Sequence, residues 1–529
     1  MTATAAPPAS GPAPAWGLAA VLLGTFLSTL NGRLSTFGLN DLRGVVHAGF
    51  DEGAWITTAQ TTAQMLVMPF AVWLGGVYGA RRVLIHAAVA FAAISLIKPL
   101  VPSLPALLLL QFLGGLASGF FVPLTVSFIL RALPPRLWTY GVALYALNLE
   151  LSLNISASVE GFYVDHLSWR WIFWQSVPLA LGMAACLYLG AAPEPPKADR
   201  RPHDVYGLAT GGLGLALIYA ALDQGNRLDW LNSGLIWGLL VAGVVCLAAF
   251  LLHEAHTPQP FMDLKVLARP PFPAVAALIG VLRLTILSTA YLVPVFLGGV
   301  RGFRAPEIGE TLIWIALPQF LVCALAGLSL QRVDARFAAA FGFVCIATAC
   351  LAIAHGLTPA WGADQFWPAL LLQAVGQSFA LTGIVFYATQ HITPATALTL
   401  GAFSQMARLM GGEIGQAFVV TFVRVRAQVA SNLIGLHVQV GDAAVEQRLR
   451  LYGAATSRLG DATAALPRGA VLLAGAVRRA ATTQAVLDAF VAIAAIAAIG
   501  MLLLAAQAAP PPGPARTRPL FARRAGDGA

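Results

Sequence analysis

Residues 234–252, GLIWGLLVAGVVCLAAFLL, are apolar throughout and contain no charged side chain. As an α-helix, a stretch of this length spans about 30 Å at about 1.5 Å per residue, the thickness of the hydrocarbon core of a bilayer. Lipid offers no hydrogen-bonding partner to a backbone amide, so a segment that crosses it must satisfy its amides internally. This stretch therefore predicts a membrane-spanning helix.

The same pattern recurs along the whole chain. Hydrophobic residues make up 58% of the 529 residues and charged residues only 10%, which excludes an ordinary soluble domain. The predicted spans are 16–37, 54–76, 83–101, 104–128, 138–160, 170–190, 206–222, 234–252, 273–297, 309–330, 337–355, 366–388, 398–422 and 486–507. We therefore predict an all-α polytopic membrane protein with about 14 transmembrane helices, arranged as six, two and six.

Basic residues favour one orientation in the membrane. With both termini in the cytoplasm, the cytoplasmic connections and tail hold Arg81, Arg82, Arg131, Arg136, Lys197, Arg200, Arg201, Lys265, Arg269, Arg332, Arg336 and the arginines between 516 and 524. The short outer connections hold only Arg43, Lys98, Arg170, Arg227, Arg301 and Arg304. This bias predicts a multi-pass membrane protein with both termini cytoplasmic. Because the basic residues are scattered over loops, the net charge of +9 does not indicate nucleic acid as a partner.

The chain divides into two halves with an insertion between them. We predict a cytoplasmic N-terminal tail at 1–15, an N-terminal six-helix bundle at 16–192, a linker with two extra transmembrane helices at 193–270, a C-terminal six-helix bundle at 271–507 and a basic cytoplasmic tail at 508–529. Two such halves indicate a central path with a small-molecule substrate bound near the middle of the bilayer. The second half includes a long periplasmic loop at 424–485, where 445–459 has the charge pattern of an amphipathic helix. That helix either packs as a cap or docks a partner.

The span at 138–160 carries polar residues at every second position from Asn148 to Glu160. An isolated strand would leave its backbone unpaired in lipid, so this alternation does not indicate β-structure. On a helix the residues form two stripes at i, i+4 spacing: Asn148, Ser152, Ser156 and Glu160 in one, and Glu150, Asn154 and Ser158 in the other. We expect one stripe to line a central cavity and the other to meet a neighbouring helix.

Charged residues inside the spans are the main candidate functional residues. A carboxylate at membrane depth costs about 2.5–3.5 kcal/mol on insertion scales, so it needs a partner, a proton or water. The proton-coupling candidates are Glu150, Glu160 and Glu413, and the candidate basic partners or anion contacts are Arg283, Arg408 and Arg33. Two interpretations of each acid stay open: a buried ion pair that fixes helix packing, or a group that takes up and releases a proton as its exposure alternates.

The remaining candidates for a substrate cavity are polar or aromatic. They are Asn31, Gln111, Asn148 and Asn154, together with Trp314 and Phe386, whose rings could instead pack the core. The five cysteines fall within spans and are interpreted as apolar core residues, so no metal site is predicted. No Walker loop and no nucleophile–base arrangement stands out, so the sequence predicts neither ATP-driven transport nor an enzyme.

Four motifs, spread in order over the chain, resemble those of one family. They are Trp169–Trp174 with Val177 and Pro178 at the entry to span six, Asp204–Gly207 at the start of span seven, Leu222–Trp230 after it, and Arg408–Gly415 in span thirteen. Together they are similar to the fourteen-spanner drug:proton antiporter family of the major facilitator superfamily. The resemblance implies a major-facilitator fold and a proton-driven exporter that works by alternating access, with a proton gradient and no cofactor. In Gram-negative members it also implies a pump of the cell inner (plasma) membrane, joined to a periplasmic adaptor protein and an outer-membrane channel.

Some family motifs are altered in this chain. Where the family has an acid in span one the sequence has Asn31, followed by Arg33; Gln111 replaces the arginine of the span-four motif; and the span-five antiporter motif reads Ser156–Gly161. The motif after span two keeps Gly79, Arg81 and Arg82, which are candidates for a conformational gate, and has Gly76 at its acidic position.

Two functional hypotheses follow. The first is a secondary active transporter that performs proton-coupled efflux of amphiphilic drug-like or toxic organic compounds by alternating access. The charged residues retained inside the membrane favour it, because a scaffold gains little from keeping them. The alternative is a facilitator without proton coupling, or a transporter-like sensor or assembly subunit that has lost antiport, and the altered span-five motif favours this second interpretation.

Overall fold

A computed structural model describes residues 14–125, 138–190, 204–257, 268–391, 397–439, 441–457 and 465–508. The first half contains α1 (Pro14–Phe37), α2 (Leu39–Val45), α3 (Phe50–Gly53), α4 (Trp55–Tyr78), α5 (Ala80–Ile97), α6 (Leu104–Ser118), α7 (Trp138–Asn154), α8 (Ser156–His166), α9 (Trp171–Trp174) and α10 (Ser176–Gly190). The insertion contains α11 (Val205–Gly225) and α12 (Gly234–His256). The second half contains α13 (Phe272–Leu287), α14 (Val293–Phe296), α15 (Ala305–Ser329), α16 (Ala335–Gly356), α17 (Ala363–Thr389), α18 (Ala397–Gly435), α19 (Ala443–Ser457) and α20 (Ala465–Ala505). No residue of the described ranges lies in a β-strand.

The helices have the length and composition of membrane spans. Among the described residues, 12 helical segments are long and apolar enough to cross a bilayer, and a thirteenth is added if α7 and α8, which are bent by 48° at their junction, form one span. Helix α4 is 24 residues long and is not among these segments; threonines and glutamines occupy much of its first half. The prediction of an all-helical, multi-pass membrane protein is confirmed.

Each half has its own apolar core. In the first half, rings and aliphatic side chains such as Phe91 and Phe121 pack together, and a second cluster forms around Leu34 and Phe173. The core of the second half includes residues of α7, among them Leu149. Helix α7 therefore belongs to the first half by sequence but packs against α15 and α17 of the second half. This arrangement places one of its polar stripes at the junction between the halves.

The insertion is attached to the bundle through α11. This helix packs against α4, α12 and α18, and it approaches α4 so closely that a Cβ atom on Gly212 would fall against the carbonyl oxygen of Leu66. Helix α12 lies outside α11 and leaves large apolar side chains such as Trp237 and Val245 exposed. Exposed apolar side chains suit contact with lipid tails, so α11 separates the bundle from a lipid-facing α12.

The connection predicted as a long loop at 424–485 is largely helical, which corrects that expectation. Helix α18 runs on to Gly435, α19 occupies the segment with the amphipathic pattern, and α20 begins at Ala465. The segment is rich in Ala, Leu, Arg and Gln, which are strong helix formers, so the helices continue past the limits predicted for the two spans. At 39 and 41 residues, α18 and α20 are about 60 Å long, roughly twice the hydrocarbon thickness.

Several parts of the orientation argument lie outside the described residues. These are the N-terminal tail up to residue 13, the connections that hold Arg131, Arg136, Lys197, Arg200, Arg201 and Lys265, and the basic tail from residue 509. The placement of both termini in the cytoplasm therefore stays a prediction.

Candidate functional site

Two adjoining cavities lie between the halves. The first, of about 70 Å³, is here called the Glu150 chamber; it is lined by Glu150 and by apolar side chains of α7, α13 and α17, among them Leu149, Leu282 and Leu381. The second, of about 170 Å³, is here called the Glu413 chamber; it is lined by polar residues of α1, α4, α11, α13 and α18, including Glu413. The first chamber suits an apolar group and the second suits water and polar groups.

Two arginines separate the chambers. Arg283 on α13 and Arg408 on α18 line both cavities. The guanidinium of Arg283 lies beside Gly412, where a Cβ atom would come within 3.4 Å of Nε, and Nε of Arg408 donates a hydrogen bond to Gln405 at 2.7 Å. The absence of a side chain at Gly412 therefore leaves space for the Arg283 guanidinium. Both arginines predicted from the sequence lie on the central path.

Glu150 lies at the junction of the two halves. Its side chain is 1% exposed, and its Oε2 accepts hydrogen bonds from Gln319 on α15 at 3.2 Å and from Ser378 on α17 at 3.4 Å. Its Oε1 has no hydrogen-bond partner among the described residues. Because an unpartnered carboxylate oxygen in an apolar chamber is costly, this group is suited to bind a proton or a donor group of a substrate.

The two polar stripes of α7 and α8 face different neighbours. In the stripe of Glu150, Asn154 donates to the side-chain oxygens of Gln319 and Gln377, each at 3.3 Å. In the other stripe, Asn148 donates to the backbone of Leu22 and to Thr25 on α1. One stripe therefore meets the second half of the molecule and the other meets α1, so both polar faces are shielded from lipid.

Beyond Asn154 the halves touch backbone to backbone. The hydroxyl of Ser158 donates to the carbonyl oxygen of Gly309 at 2.8 Å. A Cβ atom on Gly309 would lie 2.6 Å from the Cα of Ser158, and one on Gly161 would lie 2.8 Å from the Cα of Pro306. Small residues on both helices therefore close this end of the path.

Arg33 forms a second link between the halves at the Glu413 chamber, which it lines. Its Nη2 donates to the carbonyl oxygen of Ala290 at 3.0 Å, and its guanidinium lies 5.1 Å from the centre of the Phe37 ring. Ala290 lies in the π-helical segment Ser288–Leu292. An α-helix would satisfy that carbonyl from residue 294, but Pro294 has no N–H to give.

Glu413 and a residue that the sequence reading missed share the Glu413 chamber. Glu413 is 5% exposed, and its Oε1 has no hydrogen-bond partner among the described residues. Asp223 and Tyr219 reach the same chamber from α11. The sequence predicts that Asp223 lies in the connection after span seven, whereas the helix continues to Gly225. An acidic residue at the end of α11 is the signal in the sequence that could have revealed Asp223.

Glu160 lines neither of the two chambers, so its role as a coupling candidate stays a prediction. It is 2% exposed and lies within the first half, where a Cβ atom on Gly38 would come within 3.5 Å of its Oε1. The reason is its position in the stripe of Asn148, which faces α1 rather than the second half. Sequence spacing placed both acids on one helix but could not assign them to different sides of the molecule.

Asn31 and Gln111 are buried in the first half, away from the chambers. Asn31 donates to Gln60 at 3.1 Å. Gln111 accepts a hydrogen bond from Nζ of Lys98 at 2.6 Å. Lys98 was expected in an outer loop, yet it is 1% exposed, and its Nζ lies 5.8 and 5.3 Å from the centres of the rings of Phe91 and Phe173. The chain turns back at Lys98, and the ammonium group of this residue lies inside the first half.

The two aromatic candidates also lie outside the chambers. Trp314 is 50% exposed and packs beside Trp367, with ring centres 6.2 Å apart. The next residue along α15, Ile315, is fully buried, so Trp314 falls on the outward face of the helix. Phe386 is 1% exposed and belongs to the apolar core of the second half. Core packing therefore accounts for Phe386, and contact with lipid accounts for Trp314.

The gate candidates form contacts within the first half. Gly79, at the junction of α4 and α5, has a φ of 85°, which favours glycine. Arg81 donates to the carbonyl oxygens of Leu187 at 3.1 Å and Tyr188 at 2.9 Å, at the C-terminal end of α10. A cation at that end also meets the negative pole of the helix dipole. Arg82 is exposed.

Comparisons with known proteins agree with this architecture. The profile of the Major Facilitator Superfamily matches residues 21–416. The multidrug export protein EmrB of Haemophilus influenzae is 25% identical over 74% of this chain and 75% of that protein. EmrB of Escherichia coli K12 is 23% identical over 76% of this chain and 78% of that protein. The fatty acid resistance protein FarB of Neisseria gonorrhoeae is 23% identical over 78% of this chain and 82% of that protein.

Solved structures share the fold at low sequence identity. The human organic anion transporter MFSD10 (TETRAN) aligns with a TM-score of 0.56 and 13% identity over 93% of this chain and all of that chain. The proton:xylose symporter XylE aligns with a TM-score of 0.53 and 12% identity over 88% of this chain and 94% of that chain. These likenesses establish a common helical architecture.

The family profile covers most of the chain, and the helical halves enclose a polar path in the way a membrane transporter requires. The resemblance stated from the motifs is thereby confirmed, and the protein is a transporter rather than an enzyme. With at least twelve candidate spans in the part of the chain that the structure describes, and a family profile that matches residues 21–416, the chain belongs to the Major Facilitator Superfamily.

Proposed function

We propose that this protein is a proton-coupled exporter of amphiphilic drug-like or toxic organic compounds that works by alternating access. One observation carries the proposal: Glu150, at the junction of the halves, presents to a mostly apolar chamber a carboxylate oxygen that has no hydrogen-bond partner in the described part of the chain. The apolar body of a substrate fits against Leu149, Leu282 and Leu381. The names of the relatives, multidrug export and fatty acid resistance proteins, support an amphiphilic substrate.

Exchange of substrate for protons follows if both compete for Glu150. A proton neutralises the carboxylate, and a cationic or hydrogen-bond-donating group of the substrate binds the charged form, so each excludes the other. An anionic head group held by Arg283 would behave in the opposite way. When Glu150 is protonated, it no longer offsets the positive charge of the Arg283 guanidinium. An anionic substrate would therefore bind better when the proton is bound, and substrate and proton would cross the membrane in the same direction.

The full topology belongs to the proposal. Adding the bent α7–α8 pair and α4 to the 12 segments gives fourteen spans, arranged as six, two and six. The predicted domain limits, with the bundles at 16–192 and 271–507, follow the same division. The bias of the basic residues supports a topology with both termini in the cytoplasm, and the likeness to the EmrB proteins supports a location in the inner membrane. In this orientation the contact between Ser158 and Gly309 closes the periplasmic end.

We further propose that the helical extension formed by α19 and the adjoining ends of α18 and α20 docks a periplasmic adaptor linked to an outer-membrane channel. A groove of about 790 Å³ in this extension is lined by apolar side chains such as Leu449, Leu466 and Leu473. Deletion of 443–457 should abolish co-purification of the adaptor. Flux in proteoliposomes, which contain no adaptor, should be preserved.

The test of the transport proposal uses full-length protein in proteoliposomes under an imposed pH gradient. Two probes are compared: ethidium, an amphiphilic cation, and dansyl-undecanoate, an amphiphilic anion. We expect ethidium to move against the proton flow and to lose its dependence on the gradient in Glu150→Gln. The matched control is Glu310→Gln, which changes an exposed carboxyl group of α15. Flux of both probes that ignores the gradient would overturn the proposal in favour of a facilitator.

A further inference from the structure

Helix α11, the first helix of the insertion, forms part of the wall of the Glu413 chamber. Tyr219 and Asp223 line this chamber, and α11 packs directly against α4 and α18. A segment that only connected the two halves would not need an acidic side chain that faces the central path. The position of Asp223 therefore calls for a functional explanation.

The carboxyl group of Asp223 is held in place by neighbouring side chains. Its Oδ2 accepts hydrogen bonds from the hydroxyl of Thr58 on α4 and from Nε2 of Gln224 at 3.2 Å. Gln224 accepts in turn from Nε of Arg227 at 2.7 Å, and Arg227 forms an ion pair with the exposed Asp51 at 2.7 Å. These contacts fix the orientation of Asp223 at the chamber wall.

The second carboxyl group of the chamber belongs to Glu413. Its side chain is 95% shielded from solvent, lines the cavity and has one oxygen without a hydrogen-bond partner among the described residues. The hydroxyl of Tyr219 lies beside it. The cavity of about 170 Å³ has room for several water molecules, which can deliver a proton.

Other charged groups face the two acids across the chamber. They are Arg33 on α1, Arg283 on α13 and Arg408 on α18, while α4 presents Thr57, Thr61 and Gln64 and α11 adds the titratable Tyr219. Arg283 also lines the Glu150 chamber, so its positive charge is shared between acids on both sides. Two like charges that line one cavity repel, and neutralising one of them with a proton removes that repulsion.

We propose that Asp223 and Glu413 form a carboxyl pair that binds one shared proton in the Glu413 chamber, so that the inserted helix α11 takes part in proton coupling. The inference rests on the proposed function and adds a second proton site on the opposite side of the Arg283–Arg408 layer from Glu150. A proton entering on the periplasmic side is then held at the pair before the halves rearrange. The pair titrates as a unit rather than as two independent acids.

The experiment measures proton binding without any transported substrate. Full-length protein in nanodiscs is studied by infrared difference spectroscopy between mildly alkaline and mildly acidic buffer, in a Glu150→Gln background that removes the signal of the other chamber. We expect the band of a protonated carboxyl group to fall by about one carboxyl equivalent in Asp223→Asn and equally in Glu413→Gln. The double variant should show no further loss. The matched control Asp229→Asn, an exposed carboxyl group beyond α11, should leave the band unchanged.

Two results would contradict the proposal that Asp223 and Glu413 share a proton. Loss of the band in Glu413→Gln but not in Asp223→Asn would assign the proton to Glu413 alone, and a band unchanged in both variants would exclude the site. The use of two single variants guards against one that fails to fold, since each probes the pair from a different helix. Proton binding is measured without flux, so a wild-type protein that shows the shared proton but no gradient-dependent transport would refute the proposed function alone.

Discussion

The guanidinium of Arg33 on α1 donates a hydrogen bond to the backbone carbonyl of Ala290 at 3.0 Å, and this bond joins the two halves of the transporter beside the Glu413 chamber. Pro294 explains why the acceptor is accessible, because an α-helical amide is missing at that position. A local irregularity of one half thus supplies the partner for a charged residue of the other half.

Loss of this bond should favour separation of the halves. A hydrogen bond from a charged donor contributes about 1.5–3 kcal/mol, which corresponds to roughly a tenfold to hundredfold change in the equilibrium between conformations. We expect Arg33→Ala to increase labelling of a Thr36→Cys reporter by an impermeant maleimide. Arg33→Lys, which keeps a donor, should give an intermediate rate. Equal labelling in all three backgrounds would show that the bond does not hold this end closed.

Binding of ethidium should weaken as the pH falls. A proton neutralises Glu150 and removes the charge that attracts the cation, so affinity is full when the carboxylate is ionised and is lost on protonation. In the limiting acidic range one competing proton raises the Kd about tenfold per pH unit. Fluorescence titration checks this, and Glu150→Gln should show a weak affinity with no pH dependence. An affinity that rises on acidification would contradict the proposed competition.

A side chain at Gly309 should disrupt the closed end of the path. Its Cβ atom would lie 2.6 Å from the Cα of Ser158, and overpacking of this kind costs about 1–3 kcal/mol. We expect Gly309→Val to lower thermal stability and to slow ethidium flux. Gly238→Val on the lipid-facing α12, where a Cβ atom meets no neighbour, should change neither. Comparable flux in the two variants would argue that the contact need not form during transport.

Lys98 and Gln111 should be energetically coupled. The amide oxygen of Gln111 is the hydrogen-bond acceptor for a fully buried ammonium, and leaving such a donor without an acceptor costs about 1–3 kcal/mol or more. We expect Gln111→Leu to destabilise the wild-type protein by about that amount but to be nearly neutral in a Lys98→Met background. Thermal unfolding of the four proteins in a double-mutant cycle measures the coupling. Equal effects in both backgrounds would show that Gln111 does not stabilise Lys98.

The polar spacing of α7 predicted part of the site. The i, i+4 pattern separated Glu150 and Asn154 from Asn148 and Glu160, and the structure shows each stripe facing a different partner. The same pattern does not tell which stripe meets the other half, so the sequence makes both Glu150 and Glu160 coupling candidates. That choice depends on how α7 packs against α15 and α17, which the sequence of one helix does not contain.

The sequence by itself determined the class of the protein, because stretches such as 234–252 have one stable structure in lipid and the charge bias and motifs point to one family. Only the tertiary structure decided which polar residues meet. Asp223 and Glu413 are 190 positions apart yet line one chamber, and Lys98 lies inside the bundle rather than in an outer loop. Helix formation is governed by local hydrogen bonding and hydrophobicity, whereas the cavity is set by side-chain packing between distant helices.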